Sequence, residues 1–167
     1  LTKLDAEQQE CEFDVIVGFW YGKAPGLDRA GDALRHAVFT GTSRLGGAVA
    51  IVGDDPAAKS STLPSSSDAT LFDLHMPILY PGDVKEILTL GMHAISLSRI
   101  TGAWTALKVV DAVADGSGTL DLGATVIEPV VPDLEVEGVK YEHHPDAKLL
   151  PPNNLCLLYT SDAADEE

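Results

Sequence analysis

Four short apolar runs, separated by three segments with helical spacing, restrict this chain to very few architectures. The runs are "EFDVIVGFW" (12–20), "GAVAIVG" (47–53), "MPILYP" (76–81) and "AWTALKVVDAVA" (103–114). The first is β-branched and aromatic without sustained alternation, which suits a strand covered on both faces. After "GKAPG", expected to break the strand as a loop, Leu27, Ala30, Gly31, Leu34, Ala37 and Val38 recur at helical spacing. "GTSRLGG" (41–47) supplies a glycine-rich stop. "ATLFDLH" reads as a short helix and 82–102 as a long one, with Asp83 as N-cap and Gly102 as stop. Strand and helix in strict alternation predict an α/β fold: a parallel sheet with helices on both faces.

Composition sets outer limits. The 167 residues allow one domain with a core, and no apolar run reaches the roughly 18 residues that span a bilayer. A formal charge of −15 argues against nucleic acid or an anionic membrane as partner. Cys11 and Cys156 stand far apart, with neither metal spacing nor a disulfide framework, and the expected compartment is a reducing cytoplasm. The start at Leu1 carries no basic-then-apolar leader and reads as an internal cut.

The α/β module is expected over 1–115. Residues 116–155, rich in proline and acid, are expected to form an extended connecting arm. "CLLYTSDAADE" (156–166) matches the translation of a common sequencing-library adapter, and 156–167 is expected to stand outside the fold.

In a parallel sheet all strand exits gather on one edge, and ligands bind in the crevice there. "YGKAPG" follows the first strand, "DDPAAKSS" the second, "YPGD" the third and "DGSG" the fourth. Gly22, Lys23, Pro25, Gly26, Asp54, Asp55, Lys59, Ser60 and Ser61 are therefore the candidate ligand-facing residues. No single motif names the chemistry. The lysine of "GKAPG" comes too early for a P-loop, and no Gly-x-Gly-x-x-Gly follows the first strand. The serines of "SSTLPSSS" have no base placed by spacing. Asp54 and Asp55 could ligate magnesium or cap a turn. His143 and His144 fit a surface arm better than a metal site, and His36 and His93 fit packing or interface roles. Trp20 and Trp104 are expected in the core.

Long motifs then narrow the choice. "GFWYGKAPGLDRAGDALRHA", "GTSRLGGAVAIVGDDPAAKSSTLPSSSD", "PILYPGDVKEIL" and "SRITGAWTALKVV" resemble the fused indolepyruvate ferredoxin oxidoreductases of the 2-oxoacid:ferredoxin oxidoreductase superfamily. The resemblance runs from about Val15 to the arm near Pro152. It implies oxidative decarboxylation of an aryl 2-oxoacid with coenzyme A, yielding acyl-CoA, carbon dioxide and reduced ferredoxin. It implies thiamine diphosphate with Mg2+, shared with another domain, and iron–sulfur clusters in other regions. The matched stretch corresponds to the pyrimidine-binding domain, so the fold implied is the thiamine diphosphate pyrimidine-domain type, here incomplete. Implied partners are the remaining domains of the same enzyme, ferredoxin, coenzyme A and further copies in a homo-oligomer.

By that resemblance no catalytic residue lies within these residues. The family's activating glutamate sits in an Asn-Glu motif before the "WYGK" strand, whereas Glu7, Glu10 and Glu12 stand in a different context. The isolated chain is therefore expected to show no turnover. A stand-alone α/β module that binds a small phosphorylated ligand, and a structural role in an assembly, are the alternatives.

Overall fold

The first strand, β1 (Val17–Lys23), enters helix α1 (Ala24–Thr40) with no loop between them. The expectation of a loop at "GKAPG" is thus corrected. Lys23 keeps an extended backbone, and Pro25 falls in the first turn of α1, where a missing N–H costs nothing. Gly22 remains in the strand beneath the Trp20 indole: a Cβ there would stand 2.8 Å from the ring. These glycine and proline residues fit a strand passing directly into a helix.

The computed structural model describes residues 15–43, 45–125, 129–131, 133, 135–136 and 139–140. After α1 come β2 (Gly47–Asp54), α2 (Asp68–Asp73), β3 (Ile78–Leu79), α3 (Val84–Thr101) and β4 (Thr105–Val110). Two single-turn helices, α4 (Asp111–Ala114) and α5 (Leu122–Thr125), follow. A small antiparallel pair, β5 (Glu135–Val136) with β6 (Val139–Lys140), lies in the region expected to be an extended arm. The residues expected to be an adapter-derived tail, and those around His143 and His144, lie outside the described residues.

The four main strands form a parallel sheet in the order β1-β2-β4-β3. The chain moves from β1 to β2, skips a position to β3, then turns back to place β4 between them. Right-handed crossovers put helices on opposite faces when that direction reverses, and the core follows this rule. Ala50, Val52 and Ala106 pack with Leu27, Leu34, Leu71 and Leu74 from α1 and from α2 and its C-cap. The alternate residues Val49 and Leu107 pack with Ala94 of α3, flanked by Ile51, Ile87, Leu90 and Ile95. Helices therefore cover both faces, as the alternation predicts.

Three local expectations need adjustment. The third strand contracts to Ile78–Leu79 because prolines at 77 and 81 bound it and cannot donate to a ladder. "DAVA" leaves the fourth strand and becomes α4. Trp20 and Trp104 are half-buried at the margin of the α1–α2 core rather than enclosed.

The long helix is capped as its sequence predicts. Asp83 accepts hydrogen bonds from the amides of Lys85 and Glu86, while Glu86 accepts from Gly82. Gly102 ends it at φ 69°, in the left-handed region open to glycine. The buried Ser98 Oγ accepts from the Ala48 amide and donates to the Ala103 carbonyl, pinning the end of α3 to β2.

Candidate functional site

The carboxyl ends of the strands form one rim, and the segment from Asp55 to Ser67 lies across it. Lys23, at the end of β1, donates to the Ser61 hydroxyl at 3.1 Å. Lys59 reaches Asp115, just past α4 at the exit of β4, at 2.9 Å. The exits of β1, β2 and β4 thus meet through contacts between residues far apart in sequence.

Period-two geometry gives this rim a buried foundation. Asp54 and Lys108 fall on the same sheet face as Val52 and Ala106, on the adjacent strands β2 and β4. Both side chains are buried, with Nζ of Lys108 3.4 Å from the Asp54 carboxylate and 2.5 Å from that of Asp68. The Tyr80 ring, from the exit of β3, lies 4.6 Å from the ammonium. Asp54 also accepts from the Ser67 amide at 2.8 Å and the Ser67 hydroxyl at 2.6 Å. The start of α2 is thereby fastened to the sheet through ion pairs and hydrogen bonds.

Asp55 organises the loop itself. Its carboxylate accepts from the amides of Lys59 at 2.8 Å and Ser60 at 2.6 Å, and from the Ser60 hydroxyl at 3.2 Å. Its amide donates to the Ser65 hydroxyl at 3.0 Å, while its carbonyl accepts from the Ser65 amide at 3.1 Å. Of the two readings open for the acidic pair, turn capping is the one this geometry displays. Every carboxylate oxygen of Asp54 and Asp55 already has a protein donor. No group of three metal-ligating side chains occurs among the described residues.

The candidate residues divide by position. Lys23, Asp54, Asp55, Lys59, Ser60 and Ser61 share the rim, as expected of strand exits. Pro25 and Gly26 occupy the first turn of α1 at the same edge, where a Cβ on Gly26 would meet open space. Gly22 points under Trp20 instead. His36 is exposed beside Asp32, and His93 is half-buried with Nδ1 2.7 Å from the Thr89 carbonyl. Sequence reasoning missed Lys108, Ser67 and Asp68, and placed Tyr80 and Asp115 only within the exit segments "YPGD" and "DGSG" without naming them as candidates. The available signal was a lone lysine in the apolar run "TALKVV", at a position whose parity faces the core.

A half-open cleft of about 240 Å³ adjoins the rim, between Gly82–Lys85 at the start of α3 and residues 112–118 after β4. Asp83 and Glu86 already cap the local amides, so the cleft does not present a bare helix terminus to an anion.

The charges on the rim reinforce one another. Lys108 holds the Asp68 carboxyl below its ordinary range, assisted by Ser66. Desolvation pushes Lys108 down, but Asp68 and Asp54 outweigh it and raise the ammonium overall. Desolvation likewise raises Asp55, and the Ser60 and Lys59 amides more than reverse it. Asp115 raises Lys59 through its hydrogen bond and charge.

The two depressed aspartates stabilise the fold fully above the unfolded carboxyl value of about 3.9, and that stabilisation is lost as pH falls through their folded values. The raised lysines contribute below the unfolded value of about 10.4, and their contribution disappears as pH rises through their folded values. Urea midpoints measured across pH should therefore fall in acid, with a shallower fall in Asp68→Asn. An identical acid limb in that variant would contradict the assignment.

No helix among the described residues is long and apolar enough to cross a membrane. No protein-family model, curated protein or solved structure matches the chain.

Proposed function

We propose that the α/β module is the pyrimidine-side half of a thiamine diphosphate-dependent oxidoreductase acting on aryl 2-oxoacids, of the indolepyruvate ferredoxin type. The observation that carries this reading is the meeting of "YGKAPG" and "DDPAAKSS", the motifs of the resemblance, on one carboxyl rim through the Lys23–Ser61 contact. A parallel sheet whose exits converge supports a ligand wall at that edge.

In this reading Lys23, Lys59 and Ser61 face a coenzyme held between this module and a second one. Asp54, Asp55 and Lys108 keep the wall rigid. When bound, the coenzyme would supply a carbon nucleophile and a sink for the electron pair left behind as carbon dioxide departs. The role of the present residues is positioning and exclusion of water. Magnesium is assigned, by the family resemblance, to the partner module. Ferredoxin, coenzyme A, iron–sulfur clusters, homo-oligomeric assembly and a cytoplasmic setting belong to the same proposal.

The test is a chimera in which residues 15–115 replace the corresponding stretch of an indolepyruvate ferredoxin oxidoreductase. With indolepyruvate, coenzyme A and thiamine diphosphate it should reduce methyl viologen, whereas the present chain alone should not. A folded, cluster-loaded chimera without turnover, or turnover by the chain alone, would overturn the reading. Tight binding of a small phosphorylated ligand by the isolated chain in calorimetry would favour a stand-alone binding module.

A further inference from the structure

We infer that two copies of this chain associate through the outer edge of β1, with the two strands antiparallel about a two-fold axis at Trp20. The sheet then runs unbroken from one copy into the other. This inference uses the sheet edge and one flank of α1, and stands whatever the carboxyl rim binds.

The edge is unprotected. Among the described residues β1 pairs only with β2, residue for residue over all seven positions and without a bulge. "VGFWYGK" holds no proline and a single charge, Lys23, at its end. Edges that stay unpaired in solution normally carry one of those devices.

The uncovered side chains point to the occupant. Phe19 and Tyr21 share the sheet face of Val49 and Ile51, where α3 packs. α3 crosses β2, β3 and β4, and leaves Phe19 57% and Tyr21 82% exposed at the margin. In the register centred on Trp20, Phe19 of one copy stands opposite Tyr21 of the other, Gly18 opposite Gly22 and Val17 opposite Lys23. Two aromatic cross-strand pairs form, and no like charges meet.

The other face closes by the same symmetry. α1 lies over β1 and β2, with Arg35 on its inner flank reaching Asp73 of α2. The opposite flank carries Gly26, Ala30, Ala33 and Ala37, all small, and faces the outer edge of β1. About two strand spacings, roughly 9.5 Å, would separate α1 from its mate, within the roughly 8–10 Å at which helices pack. Trp20 lies about 10 Å below the rim, level with a point about seven residues into α1, so Ala30 and Ala33 fall beside the axis.

The area sets the strength. Aromatic side chains carry about 150–250 Å² each, so Phe19 and Tyr21 leave roughly 300 Å² uncovered per copy. That is near half of the roughly 600 Å² a side that the smallest stable interfaces bury. The strand backbone and the α1 flank supply the rest, which fits a dimer at the weak end of the specific range.

Sedimentation velocity on the full chain, over a dilution series up to about 200 µM, should show a monomer–dimer equilibrium in the micromolar range. Tyr21→Lys, at an exposed position, should weaken the dimer roughly tenfold or more. Phe72→Lys, similarly exposed on α2, should leave it unchanged. With Cys11 and Cys156 changed to serine, a short bismaleimide should link Ala33→Cys chains into dimers, but not Asp28→Cys chains, whose thiol lies on the Arg35 flank. Each copy carries a formal charge of −15, so sodium chloride should tighten this apolar interface. A chain monomeric throughout the series would overturn the inference and leave the edge to a strand from another protein. A dimer that salt dissolves, or one unaffected by Tyr21→Lys at an unchanged urea midpoint, would overturn it too, as would equal linking at Asp28→Cys and Ala33→Cys.

Discussion

Replacing Lys108 with methionine should lower the free energy of unfolding by about 3–5 kcal/mol, the usual cost of breaking a buried pair from one side. That is a large share of the roughly 5–15 kcal/mol that holds a domain together. Methionine keeps the length and apolar stem of lysine, so the effect isolates the charge. Without the ammonium, the Asp54 carboxylate remains buried with only Ser67 as donor, and Asp68 loses its strongest partner. Combining Lys108→Met with Asp54→Asn should recover part of the loss, because the uncompensated charge is then gone. Urea unfolding followed by tryptophan fluorescence measures both. A loss below about 1 kcal/mol for the single variant would place the network among ordinary surface pairs.

Leu27→Ala should cost about 2–5 kcal/mol by a different route. Leu27 is fully buried where α1 leaves the rim, and packs with Leu34, Leu71 and the β2 residues Ala50 and Val52. No loop separates Lys23 from α1, so a cavity at Leu27 also loosens the helix start that follows Lys23 directly. The variant should therefore lose stability and, in the chimera, raise the KM for thiamine diphosphate. A substitution of equal cost on the other sheet face, at Leu107, should leave that KM nearer the parent value. Thermal melts and saturation kinetics on the two variants separate global from local consequences.

The legible part of this fold is the part written in local periodicity and punctuation. The alternation of apolar runs and helical stripes gives a parallel sheet with helices on both faces. Asp83, Gly102 and Gly41 mark helix ends because capping depends on a few neighbouring residues. Strand order was not legible: nothing local in "TALKVV" announces that β4 inserts between β2 and β3. The passage from β1 to α1 misled because proline and glycine are usual breakers, yet both are tolerated within a first helical turn.

The rim was legible in outline for a topological reason, since parallel strands must all exit at one edge. Its chemistry was not. Asp54 and Asp55 look alike in sequence, but the pleat sends one under the α1–α2 face and leaves the next to wrap the loop. Lys108 became intelligible only once Asp54, Asp68 and Tyr80, from three other segments, were placed around it.

The most direct measurement compares kcat/KM for indolepyruvate in the chimera carrying Lys23→Met at the carboxyl rim with that in the chimera carrying Arg99→Met at the opposite edge, where Arg99 meets the Leu45 carbonyl. If the strand exits face the coenzyme, the Lys23 variant should lose roughly tenfold or more, as expected when a positioning group is removed, and the Arg99 variant should stay close to the parent. Equal values for the two variants, with both chimeras folded and cofactor-loaded, would contradict the assignment of that rim.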